Sequence, residues 1–302
     1  MADRIISALL RLLFAFGRVL PRFWALEIGK PIGLLGYVLA GRRRRLAMDN
    51  LRQSLGDTHS EKELRSIARR SFMNLGMAFM EYLAFPSLMG HRIDGIIDFV
   101  GEEHLRSSLD KGRGVLLLTV HLDNVDLLGI ALALRGYPMG SITKNIRNVA
   151  VNRAVIMARE SSGATVFAGS GNMREILQHL RNGGIVGFVL DQNALAKDGI
   201  FVPFFNREAS TLSSLGVLAR KTGAAVVPAY IHRTGRKHRI VIEPVMTWTP
   251  LQDKEEDVKE RTKAYTLWTE KVVRRYPEQW MWIHNRWKTR PEGESIGQNP
   301  KS

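Results

Sequence analysis

A histidine and an aspartate five positions apart are the residues of this chain best suited to acid–base chemistry. His121 follows an apolar run, Val115–Val120, and Asp126 follows a short polar turn. The run predicts a buried strand and the apolar residues after Asp126 predict a helix, so both side chains would lie near the turn between them. A carboxylate that holds an imidazole fixes its tautomer, and the imidazole can then take a proton from a hydroxyl. The pair indicates acyl transfer to an alcohol, with His121 as base and Asp126 as its partner.

The turn between these residues contains two further polar side chains. Asp123 and Asn124 are both suitable as the N-cap of the following helix. Asp123 is also a rival carboxylate for His121, ranked second because it suits capping. A histidine satisfied by loop hydrogen bonds would give the same pattern, so this spacing alone does not establish catalysis.

The composition limits the classes of site that the chain can carry. Its 302 residues include no cysteine, so a disulfide framework, a thiolate zinc site and a thiol nucleophile are excluded. The histidines show no paired ligand spacing, and we expect no metal. The net charge of +15 favours polyanionic partners. Because the sequence contains no nucleic-acid motif, we expect anionic membrane lipid and not nucleic acid.

The N-terminal region predicts a membrane anchor over residues 1–45. Arginines recur on one face of a helix that is otherwise apolar, at positions Arg4, Arg11, Arg18 and Arg22. A second apolar segment, Pro31–Ala40, is followed by Arg42–Arg45, which suits anionic headgroups. The first apolar stretch is too short for a simple span of roughly 20 residues, although a tilted span stays open. A soluble amphipathic helix packed on the protein is the alternative.

Strands and helices alternate from about residue 96 to 245. This pattern predicts an α/β fold with a mostly parallel central sheet flanked by helices, together with an N-terminal helical membrane-associating region. Ser60 and Glu63 predict a capping box for a helix that runs to about Leu83, and Ser210-Thr211 predicts another helix start. The predicted strands are Ile96–Val100, Val115–Val120, Met139–Thr143, Ala164–Phe167, Ile185–Leu190, Ala225–Ile231 and Ile240–Val245.

A second strand of the predicted sheet also ends in polar residues. Asp191 and Gln192 follow the apolar run Ile185–Leu190. The carboxyl ends of parallel strands meet at one edge of a sheet, where ligands bind in open α/β folds. We therefore expect His121 and Asp191 to share that edge.

Several motifs together resemble the bacterial lipid A late-acyltransferase family. His121 to Asp126 is similar to the His-x4-Asp/Glu block of glycerolipid acyltransferases, and the Asn two positions before the acid is typical of the lipid A family. The resemblance covers roughly residues 30 to 292. The other matching blocks are Asp49-Asn50-Leu51, Gly101–Leu105, Asp191-Gln192 with Phe201–Phe205, Leu218-Ala219-Arg220 with Val226-Val227-Pro228, and, most specific, Pro277–Pro291.

The resemblance implies a membrane-bound enzyme on the cytoplasmic face of a bacterial inner membrane. It would move a fatty acyl group from the phosphopantetheine of acyl carrier protein to a hydroxyl of a lipid acceptor, without a cofactor of its own. The acyltransferase domain would span 46–292, and 293–302 would be a frayed tail. Many members have Glu at the position of Asp126. The Phe-Pro-Glu-Gly-Thr block of lysophosphatidic acid acyltransferases is absent, which makes that acceptor less suitable.

The resemblance and the charges also predict substrate-binding residues. Arg159 lies where the family tends to carry an arginine, and its guanidinium suits a phosphate of the acceptor or the carrier. The remaining predicted substrate-binding residues are Asp191, Gln192, Asn124, Lys144 and Arg147. Two other functions stay open: a hydrolase that uses water in place of the lipid hydroxyl, and a basic membrane-surface protein without catalysis.

Overall fold

The structure is a computed structural model that describes residues 13, 17, 19–88, 93–143, 148–169 and 172–291. The predicted anchor helix therefore lies largely outside the described residues, with Arg4, Arg11 and Arg18. The helices are α1 (Arg22–Leu39), α2 (Gly41–Leu55), α3 (Glu61–Leu88), α4 (Glu102–Leu109), α5 (Val125–Leu134), α6 (Val149–Glu160), α7 (Met173–Arg181), α8 (Ser214–Thr222) and α9 (Lys254–Arg275).

Seven strands form one sheet: β1 (Ile97–Val100), β2 (Val115–Thr119), β3 (Met139–Thr143), β4 (Thr165–Ala168), β5 (Ile185–Val189), β8 (Ala225–Thr234) and β9 (Lys237–Ile242). Their order across the sheet is β1-β9-β8-β2-β5-β3-β4. From β8 to β4 the neighbours are parallel, whereas β9 runs antiparallel to β8, and β1 is parallel to β9. This confirms the predicted α/β fold with a mostly parallel sheet.

The structure has a separate hairpin where the sequence predicts a helix start. Ser210 and Thr211 lie in strand β7 (Arg207–Leu212), which pairs antiparallel with β6 (Gly199–Phe204), and the helix begins only at Ser214. The buried guanidinium of Arg286 donates to the Ser210 carbonyl at 2.7 Å and to the Thr211 hydroxyl. These contacts come from a segment 75 residues away, which explains why the local sequence predicted a helix start.

The central strand of the sheet is apolar because both of its faces are covered. β2 reads Val-Leu-Leu-Leu-Thr, is buried at every position and is flanked by β8 on one side and β5 on the other. Alternate residues contribute to two different core clusters: Leu116 and Leu118 pack on one face, and Val115 and Leu117 pack on the other. A continuous apolar run is typical of such a doubly covered parallel strand.

Helix α1 packs closely on α3 through glycines. A Cβ atom on Gly33 would overlap the carbonyl oxygen of Phe72, and one on Gly29 would come within 2.6 Å of the Met77 Cα. The opposite side of α1 is apolar and exposed, with Trp24, Leu35 and Val38 each more than half exposed. In the described part of the chain, no single helix has the length and hydropathy of a membrane span. α1 and α2 satisfy that test only as a pair, and they meet at a bend of 91°.

Candidate active site

His121 and Asp191 meet at the carboxyl edge of the sheet, as predicted. β2 and β5 are adjacent parallel strands, with Thr119 opposite Val189, so the residues two positions beyond each strand end lie side by side. The imidazole Nδ1 of His121 lies 2.6 Å from Asp191 Oδ1, and the His121 backbone N–H donates to Asp191 Oδ2 at 2.9 Å. The His121 side chain is 27% exposed, whereas the Asp191 side chain is only 1% exposed. A buried carboxylate therefore orients a partly accessible imidazole.

A tryptophan from the C-terminal segment fixes the same carboxylate. The Trp280 indole N–H donates to Asp191 Oδ2 at 2.7 Å. The backbone of this segment also holds the loop that follows His121, because Leu122 forms a β-bridge with Trp280 and the Asp123 N–H donates to the Gln279 carbonyl at 2.9 Å. The Pro277–Pro291 block is thus a support for the site, and its tryptophans at 280 and 282 are buried.

Opposite charge and hydrogen bonds together outweigh burial in setting the pKa values of this pair. Burial lowers the pKa of His121, but the charge and hydrogen bond of Asp191 outweigh burial and hold that pKa above its ordinary value. Burial raises the pKa of Asp191, but the His121 charge and the hydrogen bonds from His121 and Trp280 bring it down to about 2. Asp191 is therefore ionised at neutral pH and favours the imidazolium that forms when His121 accepts a proton.

Asp126 does not hold the His121 Nδ1 atom as the sequence predicts. Its Oδ1 accepts from Arg159 Nε at 3.0 Å and from Arg159 Nη2 at 2.6 Å. Asp126 lies in the first turn of α5, where its side chain faces α6 and its ion pair with Arg159. Its charge still contributes to raising the pKa of His121, and together with burial it raises that of Tyr82 on α3. Asp126 therefore lies beside the site and affects the pKa of His121 through its charge, without a hydrogen bond to the ring.

The other predicted site residues occupy distinct positions. Asn124 is the N-cap of α5, because its Oδ1 accepts from the Leu127 N–H at 3.3 Å. Gln192 places its side-chain nitrogen 3.2 Å from His121 Nε2. Two buried donors beside the site, Asn124 Nδ2 and Arg159 Nη1, have no hydrogen-bond partner among the described residues. Lys144 and Arg147 lie outside the described residues.

The rival carboxylate, Asp123, belongs to a buried ionic network. It has a left-handed backbone, with φ of 46°. Its Oδ2 lies 2.6 Å from His238 Nδ1, and its Oδ1 accepts from Arg233 Nη2 at 2.8 Å. Glu81 on α3 joins the network, 2.7 Å from Arg233 Nη2 and 2.9 Å from His238 Nε2. These ion pairs connect the loop after His121 to α3 and to the β8–β9 hairpin.

Arg22, predicted on the lipid-facing stripe, points instead into this network. Its Nη2 lies 2.7 Å from Glu81 Oε1, and its side chain is 14% exposed. Its Nη1 donates to the backbone carbonyl of Arg236. The first residue of α1 is thus ion-paired with the same carboxylate that contacts Arg233 and His238, because a buried carboxylate needs cations within reach.

Sequence analysis missed two contributors to the site. Trp280 lies within the Pro277–Pro291 block, but no role at the site was predicted for it, and the network of Glu81, Arg233 and His238 was not identified. One signal was available for the network: His238 is a titratable residue that alternates in phase with the buried, apolar Ile240 and Ile242 of β9. No local signal pairs Trp280 with Asp191, because the two are 89 residues apart.

Comparison with known proteins identifies the family of the chain. Residues 4–289 match the family model described as bacterial lipid A biosynthesis acyltransferase. The chain is 30% identical over 272 residues to a lipid A biosynthesis palmitoleoyltransferase of Escherichia coli strain K12, covering 89% of this chain and 86% of that protein. It is 28% identical over 270 residues to the lipid A biosynthesis lauroyltransferase of the same strain, covering 88% and 86%.

A relative with a different name is also similar. The phosphatidylinositol mannoside acyltransferase of Mycolicibacterium smegmatis is 24% identical over 224 residues, which cover 73% of this chain and 72% of that protein. The family match spans almost the whole chain and includes both strand ends that form the site. The chain therefore belongs to the bacterial lipid A biosynthesis acyltransferase family and is an acyltransferase.

Proposed function

We propose that this acyltransferase transfers a fatty acyl group from acyl carrier protein to a hydroxyl of a lipid A precursor or a related glycolipid. The observation that carries the proposal is the His121–Asp191 pair, a partly exposed base oriented by a buried carboxylate at the ligand-binding edge of the sheet. The names of the relatives support a glycolipid acceptor, but they differ in acyl chain and in acceptor.

In this proposal the chemistry needs no covalent enzyme intermediate. His121 Nε2 takes the proton of the acceptor hydroxyl while the oxygen attacks the thioester carbonyl carbon. The C–O bond forms, the C–S bond breaks, and the departing thiolate of the donor takes the proton from the imidazolium. Asp191 orients the ring and favours the imidazolium, a role that the sequence had suggested for Asp126.

Asp126 and Arg159 are assigned to substrate binding around this base. Asp126 fixes two of the guanidinium nitrogens of Arg159, and the third, Nη1, has no hydrogen-bond partner among the described residues. A guanidinium held in this way suits a phosphate oxygen of the acceptor or of the donor's phosphopantetheine. The amide nitrogen of Asn124 is a second donor available to a substrate oxygen, and Lys144 and Arg147 remain predicted contacts.

Membrane association is supported by α1 and by the charge of the chain. The exposed apolar side of α1 is followed by the arginines that open α2, of which Arg42, Arg43 and Arg45 are exposed. An apolar helix face beside cations suits an anionic lipid surface. We propose that the enzyme works at the cytoplasmic face of the inner membrane, where a lipid acceptor can enter the site.

The test is product analysis with labelled acyl carrier protein and a lipid A precursor in mixed micelles. We expect acylated lipid from the wild type and a loss of about 10²–10⁴-fold in His121→Ala. His59→Ala, in the turn before α3, is the matched control and should keep full activity. Free fatty acid as the main product would assign a hydrolase instead, and an unconsumed donor would assign a binding protein.

A further inference from the structure

The second nitrogen of the His121 ring already has a neighbour. Gln192 places its amide nitrogen 3.2 Å from His121 Nε2, while Nδ1 faces Asp191 at 2.6 Å. Gln192 immediately follows Asp191 in the chain. The end of β5 therefore contacts both nitrogens of the imidazole through two consecutive side chains.

The chemistry of these contacts assigns a direction to each hydrogen bond. An ionised carboxylate only accepts, so Nδ1 carries a proton and donates to Asp191. In the neutral ring Nε2 then has a lone pair, and the amide nitrogen, which only donates, supplies an N–H to it. That lone pair is the one that a general base uses, so the Gln192 amide occupies the position at which an acceptor hydroxyl would bind.

We propose that Gln192 is a positioning residue for the acyl transfer proposed above: it donates to Nε2 in the free enzyme, holds the ring in its basic form, and is displaced by the acceptor hydroxyl. The inference rests on the proposed function for its kinetic consequence, but the hydrogen bond itself can be measured without turnover. When the hydroxyl enters, its O–H replaces the amide N–H as donor to Nε2, and its proton then moves to that nitrogen.

Other charged or titratable groups also affect the pKa of His121, and the test must leave them unchanged. They come from every element around the ring: Asp191 after β5, Asp126 on α5, Arg159 on α6 and His284 in the C-terminal segment. None of them contacts Gln192 through a described hydrogen bond, so a substitution at Gln192 leaves all four side chains in the protein. A change in the titration of His121 then reports the amide.

The experiment is an NMR titration of the protein labelled with carbon-13 at histidine Cε1. His121→Ala identifies the His121 signal among those of the eight histidines. In Gln192→Met, which keeps a similar shape without a donor, the neutral ring loses a stabilising hydrogen bond. The pKa of His121 should rise, with a shift on the order of one pH unit. In Gln192→Glu the new carboxylate favours the imidazolium, and the rise should be larger.

Gln178→Met, an exposed glutamine on α7, is the matched control and should leave the titration unchanged. Thermal melting confirms that each variant is folded. If Gln192→Met does not fold, the titration of Gln192→Glu takes its place. The acid limb of the kcat/KM profile should move to higher pH together with the NMR value. An unchanged or lowered pKa in Gln192→Met would overturn the proposal, since a lowered value means that the amide oxygen, and not the nitrogen, faces the ring. Wild-type activity in His121→Ala would overturn the proposed function and leave this titration result standing.

Discussion

At the scale of the residue, the site depends on which carboxylate controls the titration of His121. Asp191 contacts the ring directly, and the Trp280 indole N–H donates to the other oxygen of its carboxylate. Asp126 reaches the ring only through its charge. The raised pKa means that the base is protonated, and inactive, up to a pH above the ordinary histidine value. Activity should therefore rise with pH on the alkaline side of that value.

Asp191→Asn tests this assignment. The substitution keeps the shape but removes the charge that raises the pKa of His121, so the acid limb of kcat/KM should move to lower pH. The rate should fall by about 10⁴-fold, as when the orienting acid of a catalytic triad is neutralised. The measurement is kcat/KM between about pH 5 and pH 9. Asp126→Asn is the control and should shift the limb less; a larger shift in that variant would return the orienting role to Asp126.

At the scale of the element, the buried network joins parts of the fold that are distant in sequence. Glu81 lies on α3, Arg233 on β8 and His238 on β9, and all three contact each other or Asp123. Asp123 is two residues from His121, in a left-handed conformation that is uncommon for non-glycine residues. The network therefore supplies the support that holds the catalytic loop in place.

Removal of Arg233 should be costly, because it leaves two buried carboxylates short of a cation. We expect Arg233→Met to lower the free energy of unfolding by about 3–5 kcal/mol. Arg239→Met on the neighbouring strand is the matched control. Its side chain is 45% exposed and lies 3.7 Å from Asp98, whereas that of Arg233 is 5% exposed. The control should cost less than about 1 kcal/mol. Equal losses in urea titrations would contradict a structural role for the network.

The contact between α1 and α3 gives a second prediction at this scale. Gly33 and Gly36 lie in the same helix, but a Cβ atom on Gly33 would overlap backbone atoms of Phe72 and Met73, whereas one on Gly36 would only touch the Phe72 ring at 3.7 Å. Gly33→Ala should destabilise the protein by about 1–3 kcal/mol through overpacking.

Gly36→Ala should stabilise the protein by up to about 1 kcal/mol, because alanine has the higher helix propensity. Thermal melts of the two variants check the pair. If both were stabilising, α1 would not pack on α3 as closely as the structure shows.

At the scale of the whole molecule, the charge of +15 is expected to act on the encounter with anionic lipid and with an acidic carrier protein. The arginine run at the start of α2 is only partly available for contact with lipid or carrier protein. Arg43 donates to the Ile283 carbonyl at 3.2 Å, and Arg44 lies over the Tyr37 ring at 5.5 Å. Arg42, Arg43 and Arg45 are exposed, and of these three Arg42 and Arg45 have no described side-chain hydrogen bond.

A double substitution, Arg42→Gln with Arg45→Gln, should therefore weaken binding to phosphatidylserine vesicles by about 1 kcal/mol per residue. Lys111→Gln with Arg181→Gln removes the same charge from exposed positions on other parts of the molecule and should have less effect. Vesicle co-sedimentation across a salt series is the measurement. Binding should weaken as added salt shortens the screening length towards about 8 Å at 0.15 M. Binding that is insensitive to salt and to both double variants would assign the charge no part in lipid contact.

The sequence by itself determined the fold class and the edge at which the site lies. Apolar runs of strand length and amphipathic helices are local patterns, set by periods of 2 and 3.6 residues, and the strand Met139–Thr143 begins and ends where its pattern predicts. The carboxyl ends of parallel strands share one edge by geometry, so the sequence alone places His121 and Asp191 at the same edge.

Only the tertiary structure decided which acid faces the base. Asp126 is close to His121 in the chain, but the left-handed turn at Asp123 and the start of α5 at Val125 carry it to the side facing Arg159. Asp191 is 70 residues away and reaches the imidazole because β5 is the strand next to β2. Strand order and the contacts of Trp280 and Arg286 depend on long-range packing, for which a local pattern contains no signal.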